Sequence, residues 1–119
     1  MPSFYGLSRP AELPAIVQRV CDVLGHGFNR TASHLLLETM AVETRLGQFR
    51  DPTPNGAGRG ICQFDPIAFR DVQDRASASD ILAIDAEFGI NIKFLTHAQL
   101  DYSPVVSVIF CRLFYKLVK

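Results

Sequence analysis

The chain has 119 residues, 48% of them apolar and 20% charged, with twelve basic side chains balancing twelve acidic ones. That length suits a single domain spanning residues 1–119, since halves would be too small to bury a useful core, and the composition excludes disorder. A net charge of zero supplies no overall field toward nucleic acid or anionic lipid, so neither is expected as a partner.

From the amino end, Met1 to Leu13 lacks the basic start and apolar run of a secretory signal. Leu13, Ile16, Val17, Val20 and Leu24 then recur at helical spacing before Gly25 and Gly27, which predicts a first helix from about Ala11 to Leu24. Asn29 or Thr31 can cap a second helix, whose apolar positions Leu35, Leu36, Met40, Val42 and Leu46 run up to Gly47 and place Glu43 in the last turn. The stretch Gly47 to Gly60, with Pro52, Pro54, Asn55, Gly56 and Gly58, reads as a long loop.

Asp65-Pro66 pairs an N-cap with a first-turn proline and opens a helix through about Arg75. Ser79 or Asp80 can open a shorter one that ends near Gly89, while Ile90 to Leu100 is ambiguous and permits a helical turn or two. Ser103-Pro104 repeats the cap-plus-proline signal ahead of Val105 to Val118, which is apolar on nearly all sides. That segment contains Cys111, Arg112 and Lys116 and falls short of the roughly 18 apolar residues of a spanning helix, so it reads as a core helix. The stripe Val105, Val108, Ile109, Arg112, Leu113 and Lys116 fits core better than a partner surface. With no alternating strand pattern, the expected class is mainly α.

Several chemical signals are set aside on spacing. Cys21, Cys62 and Cys111 form neither a CxxC pair nor a Cys/His metal set and read as reduced core thiols. His26, His34 and His97 are too scattered to ligate a metal, so no metal or other cofactor is expected. Asn55 to Gly60 lacks the Gly-Lys-Ser/Thr ending and the preceding strand of a phosphate-cradling loop.

Glu43 is the carboxylate that stands out. Its helical neighbours at three, four and seven residues are Leu36, Thr39, Met40 and Leu46, and none is a cation. A carboxylate shielded on such a face has its pKa raised by desolvation, the property of a general acid near neutral pH. Periodicity alone favours the plainer reading, in which Glu43 reaches solvent past the helix end or pairs with Arg50 or Arg59.

Met40-Ala41-Val42-Glu43-Thr44, a Gly/Pro-rich loop, and Gly58-Arg59-Gly60-Ile61-Cys62-Gln63-Phe64-Asp65-Pro66 together resemble the signature of soluble lytic transglycosylases and goose-type lysozymes. The resemblance covers about Leu35 to Phe69 and implies a small lysozyme-like helical domain in which the Gly/Pro-rich segment is the active-site loop. It makes Glu43 the catalytic acid and base. Thr44 takes the place of the family's usual serine, Gln63 matches the glutamine lining the sugar groove, and Gly60 and Ile61 hold the backbone beneath the substrate. Cys62 stands where methionine is common. Tyr102 and Tyr115 are the candidates for the family tyrosine that contacts the catalytic glutamate, although neither lies in the family's Ala-Tyr-Asn context. Lys119 falls inside or just after an apolar helix, where related domains commonly continue with at least one more helix.

The implied substrate is the peptidoglycan glycan strand, cut at the β-1,4 bond between N-acetylmuramic acid and N-acetylglucosamine. Hydrolases normally set two carboxylates across the bond. Here Asp51 falls in the loop and Asp65 is needed as a cap, which leaves Glu43 and admits a transglycosylase route, with muramidase hydrolysis by a Glu43-activated water as the open alternative. A compact enzyme without a signal peptide fits a phage-type protein that acts on the periplasmic cell wall, delivered in the virion or released from the cytoplasm. The competing expectation is a non-catalytic, lysozyme-like part of a phage tail or baseplate that contacts tail proteins or glycan.

Overall fold

Local capping chemistry sets most helix boundaries in the computed structural model, which describes residues 4–44, 46–47 and 58–118. Helix α1 runs Leu13–Leu24 behind a 3-10 turn at Pro10–Glu12, where the side chain of Glu12 accepts the Ser8 and Arg9 amides. Helix α2 runs Ala32–Thr44 and places Glu43 one residue from its end; Leu46, expected inside this helix, lies past it with a positive φ of 58°. Helix α3 spans Pro66–Arg75, with the Asp65 carboxylate accepting the Ala68 amide at 2.7 Å and Pro66 filling the position that needs no donor.

Helix α4 spans Ala78–Phe88 and starts earlier than Ser79 or Asp80. Ser77 is the cap: it is extended at ψ 151° and its hydroxyl accepts the Asp80 amide at 3.1 Å. Asp80 is thereby placed in the first turn, where it pairs with Lys116 at 2.7 Å. The ambiguous stretch resolves into two 3-10 turns, Ile92–Phe94 and His97–Asp101. The first is held from outside, as the Gln73 amide donates to the carbonyls of Ile92 and Leu95. Helix α5, Pro104–Leu117, opens on the Ser103 cap.

With five α-helices and no strand among the described residues, the chain is a mainly α, compact globule with a radius of gyration of 13.2 Å. Its centre is α5, which packs on α1, α2 and α3 and buries Val106 through Leu113. Around it the aromatic rings interlock: Phe69 stacks on Phe110 at 4.4 Å, and Phe64 meets Phe110 and Phe114 edge-on. The Val105–Leu113 stripe is therefore core. Among the described residues no helix is long and apolar enough to cross a membrane.

Candidate functional site

The end of α2 is fastened to the turn at residues 59–64 through one side chain. Thr44 is 1% exposed, and its hydroxyl proton goes to the Ile61 carbonyl at 2.7 Å, with the Met40 carbonyl 3.2 Å away. The same oxygen accepts the Gly47 amide at 3.1 Å. Thr44 therefore joins helix to turn from inside. Replacing it by valine keeps the shape but strands a buried carbonyl and a buried amide, which is expected to cost roughly 1–3 kcal/mol. Urea unfolding that shows no change in midpoint would contradict this role.

The turn is pinned at its other side by Asp101. That carboxylate accepts the Gly60 amide at 2.8 Å and pairs with Arg59 at 2.7 Å. Arg59 and Phe64 close the turn with a reciprocal pair of backbone bonds, both 2.9 Å. Ile61 is fully buried and Cys62 nearly so, which places both beneath the surface. Gln63 adopts a left-handed φ of 50°, and its amide donates to Gly60 O at 2.9 Å and to the Tyr5 hydroxyl at 3.1 Å. Its orientation is thus fixed toward the amino-terminal segment.

Glu43 carries neither a hydrogen bond nor an ion pair among the described residues, so it is not held by Arg59. Its side chain is exposed, which corrects the expectation of a carboxylate shielded from water. The reason lies in the drift of the stripe. The buried positions of α2, Ala32, Leu36, Met40 and Thr44, recur every four residues and so advance about 40° at each step, which leaves residue 43 about 100° from Thr44, the buried position at its own level.

Two groups on other elements lie within electrostatic reach of Glu43. Burial beside Cys111, Cys62 and Glu43 pushes the Tyr115 hydroxyl above its usual range, and burial is the largest cause. Tyr115 therefore remains a neutral hydroxyl near pH 7, and it shares a hydrogen bond with Thr39 at 2.7 Å, one turn before Glu43. The Cys62 thiol is pushed well above its usual range by a hydrogen bond with Cys111, by burial, and by the charges of Cys111 and Glu43. All three cysteines are buried and outside any disulfide.

Sequence-predicted residues thus divide into two groups. Thr44 and Ile61 meet at the end of α2 beside Glu43, with Gly60 and Gln63 in the adjoining turn and Tyr115 bonded to Thr39 one turn earlier. Tyr102 stands apart, 78% exposed beside Arg59. The Gly/Pro-rich stretch, with Arg50 and Asp51, lies for the most part outside the described residues. Thr39 and Asp101 were not singled out from sequence. The i, i+4 spacing of Thr39 and Glu43 was a usable signal, but the Arg59–Asp101 pairing across 42 residues left none.

A groove of about 630 Å³ opens between α1 and α2, lined by Leu13, Pro14, Leu37, Ala41 and Leu46 with His34 and Glu38 at its polar edge. At roughly 100° per residue these α2 positions lie on the side of the helix away from Glu43, so the groove is separate from the carboxylate. Among the described residues no cluster of His, Cys, Asp or Glu could hold a metal ion. No family model, curated protein or solved structure matches the chain.

Proposed function

We propose that the chain is a lysozyme-like domain that cuts the peptidoglycan glycan strand at the β-1,4 bond between N-acetylmuramic acid and N-acetylglucosamine, with Glu43 as acid and base. The observation that carries this reading is a carboxylate with no partner among the described residues at the end of α2, within electrostatic reach of the Tyr115 hydroxyl and next to Thr44, which ties the helix to the turn that bears Gln63. A free carboxylate can bind a proton and deliver it to a glycosidic oxygen; one locked to an arginine cannot.

The chemistry needs no cofactor. Glu43 gives its proton to the leaving oxygen as the C1–O bond breaks, then accepts the proton of the sugar's own hydroxyl as that oxygen closes on C1. The use of Asp65 as the α3 cap supports this route over hydrolysis, because its Oδ1 is committed to the Ala68 amide. The substrate of this reading is the bacterial cell wall, reached by delivery in a virion or by release from the cytoplasm. Phage tail or baseplate proteins are its proposed partners.

Exposure of Glu43 favours a second reading, a non-catalytic relative that binds glycan or serves as a tail component. Mass analysis of fragments released from purified peptidoglycan separates the outcomes. The first reading predicts anhydro-ended fragments, lighter by one water than the reducing-end products of a muramidase. Binding without release of any fragment would establish the second.

A further inference from the structure

Arg112, in the second half of α5, is 7% exposed, and its charge has no carboxylate partner among the described residues. Its Nε donates to the Gly25 carbonyl at 2.9 Å, while its two terminal amino groups have no acceptor among the described residues. One of them lies 3.7 Å from where a Cβ would stand on Gly25, and equally 3.7 Å from that position on Gly27, so no side chain covers it from the turn. A buried cation without counter-charge is costly. The nearby Cys21 does not supply the charge, since burial pushes its thiol upward and outweighs the lowering effect of Arg112. Asp22 is engaged with His26 at 2.8 Å and with Gln18 at 2.9 Å.

The amino end of α2 adjoins the same turn. Ala32 N lies 3.6 Å from the Cβ position of Gly27. The Ala32 and Leu35 amides are taken by the carbonyls of His26 and Thr31, whereas those of Ser33 and His34 have no acceptor among the described residues. The unfilled amides and the helix dipole add positive potential to that of the guanidinium. We propose that the Gly25–Gly27 turn, the first turn of α2 and the terminal amino groups of Arg112 form a binding site for a phosphate-class oxyanion, either the free ion or a phosphomonoester. A planar fork of N–H donors beside a helix amino end matches such an anion in both geometry and charge. Glu43 sits at the opposite end of α2, about 16 Å away at 1.5 Å per residue, so this site is independent of glycan cleavage.

The test is an NMR titration of the full chain at constant ionic strength, with inorganic phosphate in one arm, glycerol 3-phosphate in a second, and sodium chloride as the control. Saturable shifts of the Arg112 Nε–H and of the Gly27 and Ser33 amides are expected with phosphate. Matching shifts in the second arm would assign the site to phosphomonoesters, and their absence there would assign it to the free ion. Arg112→Met should weaken binding at least about tenfold, consistent with the loss of a charge-assisted pair. Arg112→Lys, which keeps the charge and loses the fork, serves if the methionine variant does not fold and should bind several-fold more weakly than the parent. Shifts that do not saturate, that chloride reproduces, or that persist undiminished in the folded variants would overturn the proposal.

Discussion

Glu43→Gln is expected to lower the rate of glycan cleavage by at least about a hundredfold, the lower end of what a positioned general acid and base contributes. Glutamine has the same shape but cannot give up or accept the proton that the broken bond requires. Because the side chain is exposed and makes no bond among the described residues, the variant should fold and melt like the parent. Loss of activity at unchanged stability is therefore the diagnostic combination. A variant that loses both would point to a structural role for Glu43, and one that loses neither would remove it from the chemistry.

The second large effect is expected at Gly60, where the backbone adopts a φ of 78°. A Cβ there would stand 2.4 Å from the Ser107 hydroxyl, 2.6 Å from the Leu100 carbonyl and 2.9 Å from the Leu100 Cβ. The first is occupied by a bond of its own, as Ser107 Oγ donates to Leu100 O at 2.9 Å. Gly60→Ala therefore combines left-handed strain of about 1–2 kcal/mol with overpacking of about 1–3 kcal/mol. Destabilisation of roughly 3 kcal/mol should appear as a lowered thermal midpoint. Since Gly60 also donates to Asp101, the turn carrying Gln63 should shift with it. An alanine variant as stable as the parent would show that the turn can be rebuilt without the close approach.

What the sequence disclosed follows the range of the interactions involved. The starts of α3 and α5 were legible because Asp65-Pro66 and Ser103-Pro104 carry the cap and the proline in adjacent residues. The start of α4 was misplaced by competition among neighbouring hydroxyl and carboxyl groups: Ser77 takes the cap and leaves Asp80 for Lys116 on α5. Residues 90–100 gave a weak pattern because their turns depend on the amide of Gln73, some twenty positions earlier. Periodicity grouped Glu43 with Leu36 and Met40, but it does not report how far a buried stripe has rotated by the end of a helix. The pairing of Tyr115 with Thr39, across 76 residues, is a product of packing between α2 and α5.

Thr44 and Tyr115 show how the same signature residues divide their work. Thr44 stands next to the proposed catalytic glutamate, and its hydroxyl is consumed in joining α2 to the turn. Tyr115 was a candidate on residue type alone, and it is the tyrosine whose hydroxyl Glu43 influences. Tyr102 instead influences Arg59 on the outer side of the turn.

Solubilisation of purified peptidoglycan sacculi, followed side by side for the parent chain and Glu43→Gln at equal concentration, tests the central claim most directly. The account predicts release of glycan fragments by the parent and almost none by the variant, with both proteins folded. Sacculi left intact by the parent, or dissolved equally by both, would contradict it.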